Sequence, residues 1–138
     1  MRVILDTNVI ISAMRSSSGA SHAILLAIHR RKITPIISVP LLMEYEEVCK
    51  RDGMISNLSL SQIDIVLDQI CERATEQQIF FSWRPFLPDP DDDMLVELAI
   101  AANVTYIITS NIRDLAPARS LGIQVLEPRE FIPLIPRT

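Results

Sequence analysis

Four aspartates within five residues stand out in the sequence, as Asp89-Pro90-Asp91-Asp92-Asp93, and a nearly all-apolar segment over residues 94–102 follows them. An aspartate followed by a proline is typical of an N-cap and a first helical position, so the segment predicts a helix start. Such a cap and its acids stabilise a helix by about 0.3 to 2 kcal/mol. Two carboxylates about 4 Å apart at a partly screened site repel by roughly 4 kcal/mol. The cluster therefore favours a compensating cation.

Another acid follows a predicted strand at the beginning of the chain. Residues 2–5, Arg-Val-Ile-Leu, are typical of a short buried strand, and Asp6 comes directly after them. Ligands of open parallel α/β sheets gather beyond the carboxyl ends of the strands, so Asp6 stands where chemistry is expected. The alternative interpretation is that Asp6 only caps the helix that follows.

A third candidate acid lies on a helix that the pattern begins at Pro40. Its apolar face consists of residues spaced at about 100° per residue, namely Leu41, Leu42, Tyr45, Val48 and Cys49. Glu47 points away from this face, while Glu44 and Glu46 fall on its two margins. Periodicity leaves Glu44 and Glu46 as alternatives.

The elements that must position these acids alternate along the chain. Strand patterns occur at residues 2–5, 34–38, 104–109 and 123–126, and residues 78–83 form a short strand or an extended segment. Helical patterns at 22–31, 40–49, 59–74 and 90–102 separate them. This alternation predicts an α/β fold, a three-layer α/β/α sandwich with a central parallel sheet of about four or five strands. The strand at 104–109 ends in the polar run Thr109-Ser110-Asn111, as the first strand ends in Asp6.

Composition limits the class of protein. With 138 residues, 49% of them hydrophobic, we expect a single domain over residues 1–138 with a sizeable core. The apolar runs are far shorter than the roughly 18 residues of a membrane span, so we expect a cytoplasmic protein with no membrane contact. Cys49 and Cys71 fit reduced core thiols. The net charge of -4 argues against broad electrostatic binding of nucleic acid.

In this order and spacing, the motifs resemble the PIN-domain family of metal-dependent ribonucleases. The resemblance is closest to the subgroup that forms the toxin component of toxin/antitoxin pairs, the VapC-like ribonucleases. It spans essentially the whole chain and is carried by five short motifs: Leu5-Asp6-Thr7-Asn8-Val9, Ser38 with Leu41-Leu42-Met43-Glu44, Asp89-Pro90-Asp91-Asp92-Asp93 with Leu98-Ala99, Ile108-Thr109-Ser110-Asn111, and Pro128-Arg129-Glu130-Phe131.

The resemblance implies roles for these residues. It implies three metal-binding acids, Asp6, Glu44 and Asp92, with Asp89 as a further acidic neighbour. The family's fourth acid is replaced here by Asn111, whose amide oxygen can bind Mg²⁺ or orient water but carries no charge and cannot act as a base.

Other polar residues stand around this predicted centre. Asp114, three residues after Asn111, is an alternative carboxylate. Thr7, Asn8 and Thr109 would support the ligands through hydrogen bonds.

The implied activity is metal-dependent hydrolysis of RNA phosphodiester bonds by an endoribonuclease. Acids without converging His or Cys indicate Mg²⁺ or Mn²⁺ as the cofactor, because these ions prefer oxygen ligands. Expected partners are the RNA substrate, with Arg15 and Arg113 as candidate contacts, a cognate antitoxin protein and a second copy in a homodimer. The alternative is a catalytically weak or inactive PIN module that binds RNA or protein, which Asn111 and the acidic net charge favour.

Two other enzyme-like classes also place an aspartate at a strand end. A haloacid-dehalogenase-like phosphatase needs an acid two residues after Asp6, where this chain has Asn8. A receiver domain needs a lysine on the last strand, and the only lysines are Lys32 and Lys50. The sequence therefore disfavours both classes.

Overall fold

A computed structural model describes residues 1–79 and 90–137, without the side chains of Pro90 and Asp91. Five short strands form its sheet: β1 (Arg2–Leu5), β2 (Thr34–Ile37), β3 (Thr75–Glu76), β4 (Tyr106–Ile108) and β5 (Gln124–Leu126). The strand order is β3-β2-β1-β4-β5, and every neighbouring pair is parallel. The predicted central parallel sheet is confirmed, with five strands.

Helices connect the strands: α1 (Thr7–Arg15), α2 (Ala20–His29), α3 (Val39–Cys49), α4 (Leu60–Arg73), α5 (Pro90–Ala102), α6 (Ile112–Leu115) and α7 (Pro128–Phe131), with 3₁₀ turns at Ala116–Leu121 and Ile132–Leu134. Local sequence explains several of their starts. The Ser38 hydroxyl caps α3 by accepting from the Leu41 N–H, and Ser59 and Gln62 form a capping box at α4.

The strands are buried because helices cover the sheet. Val3, Ile4, Leu5, Ile107 and Val125 are at most 1% exposed, as expected for strands of a parallel sheet with both faces covered. Helix α2 packs against α1, α4 and α7, while α5 packs against α3 and against β1, β2 and β4. This arrangement is the predicted three-layer α/β/α sandwich.

Strand β3 lies before the residues that the sequence pattern indicated as a short strand or an extended segment. The sequence pattern indicated residues 78–83, whereas β3 is Thr75–Glu76 and pairs with Ile36 and Ile37 of β2. The Gln77 N–H still donates to the Ile37 carbonyl, but Gln78 and Ile79 lie beyond the strand. Residues 80–83 of the predicted segment, with the rest of residues 80–89 and the predicted cap Asp89, lie outside the described residues. Helix α5 does begin at Pro90, as predicted.

The two cysteines are not paired with each other. Cys49 and Cys71 are free cysteines, and burial raises the pKa of the Cys49 thiol to about 11. Within the described ranges, no helix combines the length and the apolar character that crossing a bilayer requires.

Candidate active site

The direction in which the chain adds strands to the sheet reverses at β1. The chain moves outward from β1 to β2 and β3, then returns to place β4 on the other side of β1 and β5 beyond it. This creates a switch point between β1 and β4, where the connections diverge and leave a crevice at the carboxyl ends of the strands. Asp6 follows β1 and Thr109 follows β4, so both residues lie at this crevice.

The Asp6 carboxylate is held on both of its oxygens. Oδ1 accepts a 2.8 Å hydrogen bond from the Thr7 N–H, and Oδ2 accepts one of 2.8 Å from the Thr109 hydroxyl and one of 3.2 Å from the Asn8 amide. Asp6 is also the N-cap of α1, so its two interpretations, a helix cap and a strand-end acid, describe the same side chain. Only 8% of Asp6 is exposed, which makes these hydrogen bonds necessary for a buried charge.

The end of β4 is tied to the start of α1 by further hydrogen bonds. The Asn8 Oδ1 atom accepts from the Ser110 N–H at 3.1 Å, and the Thr109 hydroxyl accepts from the Asn111 N–H at 2.9 Å. These bonds orient the segment after β4 relative to Asp6, as expected for residues that support the ligands of a metal.

Glu44 joins this network through Thr7. The Thr7 hydroxyl donates to Glu44 Oε2, so Thr7 contacts Asp6 through its backbone and Glu44 through its side chain. Glu44 is half-buried whereas Glu46 is exposed. The structure thus distinguishes the two glutamates that periodicity left as alternatives, because Glu44 is the one that faces the Asp6 crevice.

Tyr45, next to Glu44, lies beneath both carboxylates. Its hydroxyl donates to the carbonyl of Leu5, the last residue of β1, and its ring is fully buried. Burial raises the pKa of Tyr45 well above its usual value, and the negative charges of Asp6 and Glu44 raise it further. The hydrogen bond to the Leu5 carbonyl places the phenol next to the residue that precedes Asp6.

The acidic helix start contributes two buried carboxylates, Asp92 and Asp93. Only a few residues separate Ala102 from β4, so the last turn of α5 lies at the amino end of β4 and its first turn points to the carboxyl edge of the sheet. Asp92 was predicted as the third acid. Asp93 was not singled out, since the sequence alone does not reveal which aspartates of the cluster are buried.

Asn111 is exposed and pairs with Asp114. Its amide donates a 2.7 Å hydrogen bond to Asp114 Oδ2, while its backbone N–H bonds Thr109. Asp114, the predicted alternative carboxylate, is therefore the hydrogen-bond partner of Asn111.

The oxygen atoms around Asp6 belong to carboxylate and hydroxyl groups, which suit Mg²⁺ or Mn²⁺. Among residues 1–79 and 90–137, however, no three His, Cys, Asp and Glu side chains form a group that could hold a metal ion. Mg²⁺ commonly uses only one or two protein carboxylates together with water and substrate phosphate. The chemistry of the donors fits, and the ligand set Asp6, Glu44, Asp92 and Asp89 stays a prediction.

The two arginines predicted to contact RNA differ in their surroundings. Arg15 donates from Nε to the Met54 carbonyl at 2.7 Å, so it connects α1 to the loop after α3. Arg113 is exposed on α6. Sequence reasoning missed a concavity beside the Asp6 crevice, lined by Ser12, Ser21, Ser110, Glu127 and Arg129, because its residues come from four separate parts of the chain.

These observations describe a parallel α/β sandwich with the buried carboxylate of Asp6 at its switch point. The chain belongs to the PIN domain family, whose sequence profile matches residues 2–113. PIN domains are generally nucleases and generally use divalent metal ions. No curated protein matches the chain in sequence.

Among solved structures, the chain is similar in fold to VapBC2 from Rickettsia felis, crystallised bound to a DNA fragment from its promoter. The sequences are 18% identical, the TM-score is 0.61, and the match covers 92% of this chain and 98% of the other. The similarity supports the PIN-like fold over nearly the whole chain.

Proposed function

We propose that this protein is a metal-dependent endoribonuclease that hydrolyses RNA phosphodiester bonds in the cytoplasm, as the toxin component of a toxin/antitoxin pair. One observation carries the proposal. The Asp6 carboxylate is oriented at the switch point by Thr109 from β4 and by Thr7, which also binds Glu44. Membership of a family of nucleases supports this interpretation.

In this proposal, Asp6, Glu44 and Asp92 would hold a Mg²⁺ or Mn²⁺ ion, and Asp89 is the further acid that the resemblance implies. When bound, such an ion would supply Lewis-acid chemistry that activates water and neutralises charge on the scissile phosphate. The chain itself fixes the directions of the carboxylates, because each ligand oxygen that is already hydrogen-bonded needs little reorganisation. Tyr45 contributes by remaining a neutral donor below the site.

Asn111 orients water or a second ion through its amide oxygen, since its amide nitrogen donates to Asp114. Thr7, Asn8 and Thr109 position the carboxylates. Asp114 acts through Asn111 by holding the orientation of its amide group.

Cleavage of a panel of structured and unstructured RNAs, with Mg²⁺, with Mn²⁺ and with EDTA, tests the activity. We expect cutting with either metal, none with EDTA, and loss of cutting in Asp6→Asn. Asp52→Asn is the matched control, because it makes the same charge change at an exposed position after α3. Metal-independent cutting, or full activity of Asp6→Asn, would contradict the proposed centre.

The toxin role has its own test. Expression of the chain in a bacterial host should arrest growth, and the Asp6→Asn variant should not, whereas Asp52→Asn should arrest it like the native chain. Normal growth of cells that contain folded, RNA-cleaving native protein would contradict the toxin assignment while leaving the nuclease assignment intact.

A cognate antitoxin or a second copy of this chain would bind at an exposed apolar surface. A groove of about 400 Å³ between α2 and α4 offers one, with Leu25, Leu26, Ile28, Val66 and Ile70 among its lining residues. The structural neighbour is itself a VapBC complex, which supports a protein partner. We expect Leu26→Asp to retain RNA cleavage but to escape neutralisation by the cognate antitoxin, and unchanged neutralisation would exclude this groove.

A PIN module that binds RNA or protein without cutting is the second candidate. Asn111 in place of an acid favours it, as does the lack of a ready three-acid group among the described residues. It predicts that folded native protein binds RNA in gel-shift experiments but cleaves none under any metal, and that Asp6→Asn binds equally well.

A further inference from the structure

A concavity of about 370 Å³ lies beside the proposed catalytic centre. Serine side chains from α1, the first turn of α2 and the end of β4 line it, together with Glu127 and Arg129 after β5. Ser110 connects it directly to the centre, because its N–H donates to Asn8 Oδ1 and the Asn8 amide donates to Asp6. A ligand in this concavity would therefore lie next to the Asp6 crevice, at the same edge of the sheet.

Two of its lining residues are suited to bind an anion. Ser21 is only 6% exposed and lines the concavity, and its hydroxyl has no hydrogen-bond partner among the described residues, so it remains available to a ligand. Arg129 is 86% exposed, and its guanidinium lies 3.7 Å from the Glu127 carboxylate, beyond a direct hydrogen bond. An arginine fork of this kind is well matched to phosphate oxygens.

Backbone groups add to the positive character of the concavity. Ala20 and Ser21 begin the ten-residue helix α2, whose N-cap, Gly19, makes no side-chain capping bond. The first N–H groups of a helix lack intrahelical partners and carry the positive end of its dipole. They add backbone donors to the Ser21 hydroxyl and Arg129 at the lining of the concavity.

Glu127 gives the concavity an acceptor as well as donors. A carboxylate repels a bare phosphate, but it accepts a hydrogen bond from a hydroxyl such as the ribose 2′-OH. Its own charge is moderated by Arg129, whose guanidinium lies 3.7 Å from the Glu127 carboxylate. Donors for a phosphate beside an acceptor for a hydroxyl match one ribose-phosphate unit, and the volume lies in the range of small-molecule sites.

We propose that this concavity, the Ser21–Arg129 pocket, binds the phosphate and ribose of a nucleotide that neighbours the scissile bond in single-stranded RNA. The inference rests on the proposed nuclease function and deepens it by assigning a substrate subsite. Arg129 and Ser21 bind the phosphate, and Glu127 distinguishes RNA from DNA through the 2′-OH. The pocket thus recruits a polyanion to a protein whose net charge is -4.

Binding can be measured without cleavage in the Asp6→Asn background. The probe is a fluorescein-labelled single-stranded oligoribonucleotide, compared with the 2′-deoxy oligonucleotide of the same sequence, in an anisotropy titration with EDTA. We expect Arg129→Gln and Ser21→Ala to weaken RNA binding, Arg129→Gln by about tenfold as for a charge-assisted hydrogen bond. Arg137→Gln, the same charge change at an exposed position outside this pocket, should bind like its parent.

Glu127→Gln tests the ribose assignment, because the amide has nearly the same shape but accepts a hydrogen bond more weakly than the carboxylate. We expect it to reduce the preference for RNA over the 2′-deoxy strand. Equal binding by Arg129→Gln, Ser21→Ala and their parent would overturn the phosphate subsite, even if the native protein cleaves RNA. Conversely, if these variants bind RNA more weakly but the native protein cleaves no RNA, the result would support the proposed subsite and contradict the proposed nuclease function.

Steady-state cleavage kinetics of variants of the otherwise native chain distinguish a loss of substrate binding from a loss of catalytic rate. Arg129→Gln should raise KM with little change in kcat, because the residue binds a neighbouring nucleotide and does not touch the reacting phosphate. An unchanged KM, or a loss confined to kcat, would contradict a substrate subsite.

Discussion

The Thr109 hydroxyl, at the end of β4, donates a 2.8 Å hydrogen bond to the carboxylate of Asp6, at the end of β1. The two residues are 103 positions apart in sequence, and Thr109 is fully buried. Because β1 and β4 flank the switch point, this bond connects the two halves of the sheet at the place where a ligand would bind. The same hydroxyl accepts from the Asn111 N–H, so it organises both sides of the crevice.

Replacing Thr109 by valine should reduce RNA cleavage by about 10- to 100-fold, the usual effect of removing a residue that orients a metal ligand. It should also lower the free energy of unfolding by about 1 to 3 kcal/mol, because the Asp6 carboxylate loses a buried donor. Thr109→Ser keeps the hydroxyl and is the control. Kinetics and urea denaturation measure the two effects, and equal activity of the valine and serine variants would contradict the role of the hydroxyl.

Glu44 and Glu46 provide a matched pair on one helix. Glu44→Gln can still accept the Thr7 hydrogen bond, so the fold should persist, but the loss of charge should weaken Mg²⁺ binding and reduce cleavage on the order of 100-fold. Glu46→Gln makes the same change on an exposed side chain and should leave cleavage near the native value. Isothermal titration with Mg²⁺ and a cleavage assay distinguish the two, and equal losses in both variants would refute the assignment of Glu44.

Converting Asn111 to aspartate restores the family's fourth acid and places a second carboxylate against Asp114. The present 2.7 Å donor would become an acceptor, and two such charges at an exposed site repel by about 1 kcal/mol. We expect Asn111→Asp to melt at a lower temperature than the native chain in EDTA and to gain more from added Mg²⁺. Asn111→Ala removes the donor without adding charge, so added Mg²⁺ should not raise its melting temperature more than that of the native chain.

Tyr45 should make stability depend on pH in the alkaline range. The phenol keeps its proton in the folded chain because its pKa is raised well above 10.0, whereas in the unfolded chain it ionises near that value. Its contribution to stability is therefore full below pH 10 and is lost as the pH rises from 10 through the folded pKa, by up to about 1.4 kcal/mol per pH unit.

Tyr45→Phe removes both this dependence and the hydrogen bond to the Leu5 carbonyl. Below pH 10 the variant should be less stable than the native chain by about 1 kcal/mol. Above pH 10 the difference should shrink, which urea titrations at several pH values would measure. A constant difference across this range would show that Tyr45 ionises equally in both states.

The sequence alone predicted the α/β class, the parallel sheet and the place of Asp6 at the end of β1. These features depend on local patterns, such as alternating element types and capping residues, which act over a few positions. Local patterns did not locate β3 at Thr75 and Glu76, because the pairing of these residues with β2 depends on a partner about 40 residues away.

Only the tertiary structure decided which side chains meet. The periodicity of α3 left Glu44 and Glu46 equivalent, and the position of Thr7 across the interface between α1 and α3 distinguishes them. The Asp6–Thr109 bond and the Ser21–Arg129 pocket each join segments far apart in sequence. Hydrophobic patterns determine which face of an element is buried, but the distance between two polar side chains is determined by how those elements pack.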